Sequence, residues 1–298
     1  MQNQTKIAVI LQCHKNPSQV NRLISRLSMD GMDFYIHVHK KSNIQDRIDR
    51  RSNVFFVPDS ERVDVLWGDY SQCRATLALL KNILRSEKTY DYVWQISGQD
   101  YPIKSREEIS VFFRNANGAA FLNFFSGSED LLAGYRKRNE VKYFGCMMGP
   151  SISAKILRRL WHYATGGRRH TFRIFRRKRP FEKEYFGSCW WCIPYSCVEQ
   201  LLHIATRPEI ERYYSHVLNP DESMFQTLYM NLAGEKARVR DYLTYVDWSA
   251  GGNHPKMFTK EDAPVLLSEE NGFLLARKFD ETVDCEILDM IDSVICAE

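Results

Sequence analysis

The sequence predicts an α/β protein whose mostly parallel central sheet is flanked by helices. Two observations in the first hundred residues indicate this class. Short apolar runs, typical of strands buried on both faces, alternate with segments of helical periodicity. Polar loops follow directly after these runs, at the place where ligands of parallel sheets gather.

The first elements form a β-α unit, followed by further strands. Residues 6–12 (KIAVILQ) contain five consecutive apolar residues and predict a buried strand, while residues 17–27 show helical spacing. Strands are also predicted at residues 34–38, 54–57, 92–96 and near 242–246, and helices at residues 71–84 and near 283–294. No internal repeat or linker divides the chain, so we expect a single domain over residues 1–298.

The segment NPDESMFQTLYMN predicts the beginning of another helix. Asn219 is the expected N-cap, Pro220 suits the first helical position, and Glu222 completes a pattern like a capping box. Both acids also suit the positive end of a helix dipole. From the residues alone, capping is a simpler role for Asp221 and Glu222 than proton transfer.

Composition limits the possible functions. The net charge of +4 makes whole-molecule attraction to nucleic acid or membrane a weak expectation. Eight dilute cysteines favour reduced thiols, and Cys189-x-x-Cys192 lacks the second ligand pair of a zinc site. No apolar run approaches the roughly 20 residues of a membrane span, and we expect a soluble, cytoplasmic protein.

Polar side chains follow three of the predicted strands and should cluster. His14, His39 and Asp100 lie in the loops CHKNP, HKKS and SGQDYP. Ordinary hydrogen-bonded histidines are favoured over a metal pair, and a turn-forming role for Asp100 stays open. The chain lacks both the G-x-G-x-x-G pattern and a P-loop, so neither supports a dinucleotide or nucleoside triphosphate site.

The run from Arg168 to Arg179 holds seven basic residues in twelve, with two interleaved phenylalanines. It suits a solvated loop, an anionic acceptor or lipid surface, or RNA. No nucleic-acid-binding module accompanies it, so nucleic acid is not expected as a partner. Trp190 and Trp191 form a second feature, because alternation along a strand would direct one inward and the other toward a cleft.

Six motifs occur in one order along the chain. They are WGDYSQCRATLALL (67–80), QISGQDYPIKS (95–105), GSCWWCIP (187–194), NPDESMFQTL (219–228), YVDWSAGGNHPKMFTKED (245–262) and FLLARKFDETVD (273–284). Over residues 6–284 the chain thus resembles the core 2/I-branching β-1,6-N-acetylglucosaminyltransferases. These are the family 14 glycosyltransferases, which also include peptide O-xylosyltransferases, and the chain is similar to a bacterial member.

The resemblance implies a GT-A-like Rossmann-type fold and inverting transfer from a UDP-sugar, commonly UDP-GlcNAc, to a sugar hydroxyl. It also implies no metal cofactor, and the chain has no Asp-x-Asp triplet of the kind that holds a metal against a diphosphate. A donor-binding half at about residues 1–125 and an acceptor and catalytic half at about 126–298 are expected.

The resemblance also assigns residues. Glu222 matches the catalytic base and Lys278 the diphosphate-binding lysine, while His39 replaces an aspartate that lies near the uridine in relatives. The second diphosphate cation of relatives falls near Leu243 or Thr244, so Arg277 or the basic run is expected to supply that charge. The expected donor site therefore holds Lys278, Arg277, His14, His39 and Asp100, and the expected acceptor side holds Trp191, Asp247 and Trp248.

The expected acceptor is a glycan or lipid-linked glycan in capsule, exopolysaccharide or lipopolysaccharide synthesis. The enzyme is expected at the inner face of the cytoplasmic membrane, with the basic run against anionic lipid. The alternatives are xylose, galactose or glucose as the donor sugar, and a binding protein for anionic lipid or RNA built around the basic run.

Overall fold

The computed structural model describes residues 4–125, 129–167, 171–234, 237–251 and 254–296, and its central feature is a seven-stranded sheet. The strand order is β3-β2-β1-β4-β7-β6-β8, with β1 Ile7–Cys13, β2 Met32–Val38, β3 Val54–Phe56, β4 Tyr92–Ser97, β6 Ala120–Phe121, β7 Cys192–Pro194 and β8 Val239–Arg240. The first four strands in this order are parallel, β7 runs antiparallel to β4 and β6, and β6 pairs in parallel with β8. The predicted α/β class is confirmed.

Helices cover both faces of this sheet. They are α1 Pro17–Leu27, α2 Ser71–Arg85, α3 Arg106–Arg114, α4 Glu129–Glu140, α5 Ile152–Ala164, α6 Val198–Ala205, α7 Pro208–Tyr214, α8 Met224–Ala233, α9 Ala263–Leu266 and α10 Glu286–Ile295. The predicted strands and helices of the first hundred residues are observed within two residues at each end. The closing helix begins three residues later than predicted.

The core explains why the first strand is apolar without interruption. Val9 and Leu11 of β1 pack with α1, α3 and α10 on one face, and Ala8 and Ile10 pack with α2, α6 and α8 on the other. Successive side chains of a strand point to opposite faces, so a strand covered on both sides must be apolar at every position.

A second, three-stranded sheet brings the end of the chain to the first sheet. Its order is β5-β10-β9, with β5 Asp100–Pro102, β10 Leu275–Arg277 and β9 Thr244–Val246. In the antiparallel pair of β5 and β10, Arg277 lies opposite Asp100. The pairing therefore joins two of the predicted donor-site residues, which are far apart in sequence.

Candidate active site

A cleft of about 430 Å³ lies at the carboxyl ends of β1, β2 and β4. Its lining consists of Gln12, Cys13, His14, Lys15, His37, His39, Val65, Trp67, Gln72, Ser97, Gly98, Gln99, Trp190 and Arg277. The three polar loops that the sequence predicted to cluster thus meet in one place, as expected for the carboxyl edge of a parallel sheet.

The wall after β2 is fixed by one arginine side chain. The guanidinium of Arg62 donates hydrogen bonds to the carbonyl oxygens of Val38, His39 and Ser42, at 3.0, 2.9 and 2.6 Å. The Nδ1 atom of His39 accepts from the backbone N–H of Val65 at 3.0 Å. These bonds hold the His39 ring in a defined orientation at the cleft wall.

Two further histidines at the cleft are held toward the neutral form. Burial lowers the pKa of His37 to about 4, and its Nε2 atom accepts from the backbone N–H of Val63 at 2.9 Å. Burial, and then the charges of Lys15 and His39, lower the pKa of His14 below its ordinary value. The pKa shifts of His14 and His37 therefore remove positive charge from this side of the cleft near neutral pH.

An ion pair and a stacked ring form the cleft floor. The Nη1 atom of Arg277 lies 3.0 Å from the Asp100 Oδ1 atom, and its guanidinium lies 3.9 Å from the centre of the Trp190 ring. The backbone N–H of Ser97 donates to Asp100 at 2.7 Å. Burial raises the pKa of the Asp100 carboxyl, while Arg277 and the Ser97 bonds oppose that rise. Asp100 thus fixes the position of the Arg277 guanidinium at the cleft.

Two lysines lie near the same edge in different electrostatic states. Lys15 forms an ion pair with Asp280, whose carboxylate also accepts from Asn16 at 2.6 Å. Lys278 is half-buried just after β10, and within the described ranges no carboxylate lies at ion-pair distance from it. Burial, and then the charges of Arg277 and Lys15, lower the pKa of Lys278. Its charge is therefore available to an anionic group.

The segment at Asn219 differs from the predicted helix start. Asn219 adopts a left-handed conformation (φ 54°), residues Pro220–Glu222 form a 3-10 turn, and α8 begins only at Met224. The predicted capping box is wrong, because neither Asn219 nor Ser223 makes a side-chain cap hydrogen bond. Glu222 therefore lies in the turn that precedes the helix and not in the helix itself.

Glu222 is held by an arginine from α4. Its carboxylate forms an ion pair with Arg138, and each of the two side chains is about 30% exposed. The Oε1 atom has only a long contact, 3.4 Å from the Asn219 amide nitrogen. One carboxylate oxygen is thus anchored in an ion pair, and the other keeps only this long contact in a partly exposed side chain.

Asp221 has the opposite environment. It is buried, its Oδ2 atom accepts from the Gln72 amide at 3.2 Å, and its Oδ1 atom has no hydrogen-bond partner. Burial and the neighbouring Glu222 charge raise its pKa to about 7. Because Gln72 also lines the cleft, this contact joins the Glu222 turn to the cleft wall.

The loop that carries both tryptophans is anchored on the same turn. The backbone N–H of Gly187 donates to the Glu222 carbonyl at 2.8 Å, and the Gln226 amide donates to the Ser188 carbonyl at 2.6 Å. A Cβ atom at Gly187 would lie 1.8 Å from the carbonyl oxygen of Asn123. Only glycine therefore fits at position 187, where the two backbone segments come close together.

We therefore expect Gly187→Ala to lower the free energy of unfolding by about 1–3 kcal/mol, because the backbone must move to relieve the overlap. Thermal unfolding followed by circular dichroism measures the change. Gly272→Ala is the matched control, since a Cβ there meets nothing within 4 Å. An equal effect of both substitutions would contradict the steric explanation.

The tryptophan pair alternates as expected, but with the assignment reversed. Trp190 lines the cleft, whereas Trp191 is 2% exposed and packs against Phe225 at a ring distance of 5.4 Å. The prediction that Trp191 contacts the acceptor is wrong in this structure. Trp191 is buried because of a tertiary contact. Its carbonyl accepts a hydrogen bond from the Gln95 N–H at 2.8 Å, which pairs Trp191 with the sheet.

Asp247 and Trp248 follow β9 at the same edge as Lys278. The parallel register pairs Val246 with Arg277, so Asp247 and Lys278 both come directly after neighbouring strand ends. The Oδ1 atom of Asp247 accepts from the backbone N–H of Ser249 at 2.7 Å, and Trp248 is exposed. Neither side chain lines the cleft, and their acceptor role stays a prediction.

The basic run is described from Thr171 onward, and residues 168–170 lie outside the described residues. Arg177 donates to the Tyr213 carbonyl at 2.7 Å and covers the Tyr213 ring, while Arg179 lies 3.6 Å from Glu184. Arg173 and Lys178 are exposed. Part of the run is therefore structural, and part faces solvent.

The described residues also bear on metal, disulfide and membrane features. Within these ranges no three His, Cys, Asp or Glu side chains are grouped as metal ligands, and no helix has the length and apolar composition to cross a bilayer. All eight cysteines are free thiols, and burial raises the pKa of Cys189 and Cys192 well above the ordinary thiol value.

Sequence reasoning missed several cleft residues. Trp67 and Gln72 of the motif WGDYSQCRATLALL line the cleft although the sequence assigns them no role, and Trp190 lines it in place of the predicted Trp191. Arg138 had no signal at all, because α4 lacks a clear apolar face. Its importance follows only from the contact with Glu222.

Comparisons with known proteins give the family that the chain is similar to. A family model described as Core-2/I-Branching enzyme matches residues 8–269. Xylosyltransferase 2 of Rattus norvegicus is 27% identical over 313 residues, which cover 96% of this chain and 33% of the relative. Xylosyltransferase 1 of Homo sapiens is 24% identical over 316 residues, covering 97% and 30%. The chain spans about a third of the length of the curated relatives it matches.

Solved structures give a weaker likeness. Mouse xyloside xylosyltransferase 1 in its apo form aligns with 91% of this chain and 96% of that chain, at 10% identity and a TM-score of 0.38.

The chain is an α/β protein with a polar cleft at the carboxyl edge of its sheet, and the ion-paired carboxylate of Glu222 lies on a turn that contacts the cleft wall. The match over most of its length shows that the chain belongs to the Core-2/I-branching enzyme family.

Proposed function

We propose that the protein is an inverting glycosyltransferase that transfers a sugar from a UDP-sugar to a glycan hydroxyl without a metal ion. The observation that carries this proposal is the pairing of an anchored, partly exposed carboxylate with a cleft at whose edge Arg277 and Lys278 follow one another. Glu222 is held by Arg138, and its turn contacts the cleft wall through Gln72. The donor occupies the cleft, and the acceptor approaches from the Glu222 side.

Glu222 acts as the general base. In a single displacement the acceptor hydroxyl attacks the anomeric carbon opposite the departing UDP, and its proton passes to a carboxylate as the new bond forms. Arg138 holds one oxygen of the Glu222 carboxylate in an ion pair, and the Oε1 atom, with only its long contact to Asn219, is the oxygen that takes the hydroxyl proton. Burial limits access to Asp221, so its pKa near neutrality does not make it the better base.

Cationic side chains stabilise the departing UDP. Lys278 supplies a charge that no described carboxylate neutralises, and Arg277 presents a second, whose position is fixed by Asp100 and Trp190. Positive charge aimed at a developing anion performs the task that a metal performs in other enzymes. His14, His39 and Trp190 line the remainder of the donor site.

We propose GlcNAc as the donor sugar and a β-1,6-type branch on a bacterial surface polysaccharide as the product. Xylose is the second candidate, because the curated relatives compared above are named xylosyltransferases. The proposed location is the cytoplasm, at the inner face of the membrane where lipid-linked glycans are built.

A donor screen in EDTA tests the reaction class and the metal requirement together. We expect one of UDP-GlcNAc, UDP-xylose, UDP-galactose and UDP-glucose to raise the melting temperature and to release UDP slowly in the presence of EDTA. UDP release that appears only when Mn²⁺ or Mg²⁺ is restored would contradict metal independence. The absence of any response to all four donors, with or without metal, would contradict the proposed function.

A further inference from the structure

Helix α5 turns an apolar face toward solvent. Ile152, Ile156, Leu160 and Tyr163 are 76%, 54%, 61% and 63% exposed, and their spacing places them on one side of the helix. A surface helix of a globular protein ordinarily buries such a face. An exposed apolar patch of this extent indicates an interaction surface.

The opposite side of α5 contacts the rest of the protein, so the apolar face is the side that is left exposed to solvent. Ala154 is buried, Arg158 donates to the Gly149 carbonyl at 2.9 Å, and the Trp161 Nε1 atom donates to the Lys142 carbonyl at 3.0 Å. These contacts lie on the side of α5 away from Ile152, Ile156 and Leu160, whose side chains stay exposed to solvent.

A second segment extends the apolar patch. Phe172 and Ile174 are 54% and 85% exposed. The backbone N–H of Phe172 donates to the Thr165 carbonyl at 3.1 Å, and Phe175 packs on Trp161 at a ring distance of 5.5 Å. This segment therefore runs beside the C-terminal end of α5.

Charge identifies the kind of partner. Residues 141–181 contain 11 Lys and Arg and no Asp or Glu, whereas the other residues hold 30 Lys and Arg against 37 Asp and Glu. Lys155, Arg159, Arg173 and Lys178 are exposed around the apolar patch. Exposed apolar side chains bordered by basic ones are the composition of a helix that lies in the interface of an anionic bilayer.

We propose that α5 and residues 171–179 form a docking surface for an anionic lipid bilayer. The apolar side chains enter the boundary between headgroups and acyl chains, and the basic side chains contact lipid phosphates. A symmetric contact between two copies would instead place these like charges against each other.

The surface also adjoins the candidate active site. The guanidinium of Arg158 lies 5.5 Å from the centre of the Trp67 ring, and the Gly149 N–H donates to the Trp67 carbonyl at 3.0 Å. Since Trp67 lines the cleft, docking through α5 holds the cleft close to the bilayer surface. This inference does not depend on the donor sugar.

Flotation of the full chain with vesicles tests the proposal. We expect binding to phosphatidylglycerol-containing vesicles, weaker binding to phosphatidylcholine alone, and a loss on the order of tenfold in the double variant Ile156→Ser, Leu160→Ser. Val265→Ser with Val294→Ser is the matched control, because both valines are exposed elsewhere. The control is expected to bind as the parent does.

A second variant distinguishes a loss of vesicle binding from a loss of folding. Lys155→Gln with Arg159→Gln removes charge without touching the apolar face, and we expect it to weaken binding to anionic vesicles and to reduce its salt dependence. Failure of the parent to bind, equal binding to both vesicle types, or unchanged binding by both surface variants would overturn the proposal. So would a dimer that the serine variant dissociates, or RNA binding without vesicle binding.

Discussion

Glu222→Gln is expected to fold like the parent protein and to lose on the order of 10²- to 10⁴-fold in transferase turnover. Glutamine keeps the shape of the side chain but cannot accept the acceptor proton. The backbone bond from Gly187 to the carbonyl of residue 222 is unaffected by the change. Turnover under saturating donor and acceptor, with circular dichroism as the check on folding, measures the effect.

Two controls separate the base from its surroundings. Glu211→Gln removes the same charge from an exposed ion pair with Arg74 and should leave turnover unchanged. Asp221→Asn tests the neighbouring carboxyl, which is buried and accepts from Gln72, and should retain most activity because burial limits its access to an acceptor. If Asp221→Asn were the inactive variant and Glu222→Gln the active one, the assignment of the base would be wrong.

Lys278→Met is expected to lower kcat/KM for the UDP-sugar by on the order of 10²-fold and to weaken the binding of UDP itself. The charge removed is one that no described carboxylate neutralises, so its partner should be the diphosphate. The folded state disfavours this charge, because burial and then Arg277 and Lys15 lower its pKa. Methionine should therefore leave thermal stability equal or raised.

Lys260→Met is the matched control for this substitution. Lys260 is an exposed lysine paired with Glu286 at 2.7 Å, whereas Lys278 is half-buried and directly follows Arg277 of the cleft lining. Titration calorimetry with UDP distinguishes the two variants, and only Lys278→Met should weaken binding. Unchanged UDP affinity in Lys278→Met would show that the diphosphate charge is neutralised elsewhere.

Arg277 illustrates why neighbouring cations need different tests. Its guanidinium is paired with the buried Asp100, and removing one partner of such a pair leaves an uncompensated charge inside the protein. An Arg277→Ala variant would thus lose stability together with any role in donor binding. Lys278, without such a partner in the described structure, reports on binding alone.

Local sequence was sufficient to predict the strands that are covered by helices on both faces of the sheet. The first strand is apolar throughout because helices cover both sides of it, and its run could be recognised without any knowledge of the partners. The polar loops at the strand ends followed from the same reasoning, since parallel strands bring their carboxyl ends to one edge. The ordered motifs added the family and the role expected of Glu222.

Only the tertiary structure decided which side chains share a site and how each is held. The Glu222 turn resembles a helix cap in sequence, but Arg138, far away in the chain, takes its carboxylate. The local sequence does not distinguish Trp190 from Trp191 as the residue that lines the cleft. In the structure the Gln95 N–H donates to the Trp191 carbonyl, so Trp191 pairs with the sheet and is buried in the core. Such outcomes depend on contacts between distant segments, and local periodicity and capping rules carry no information about those contacts.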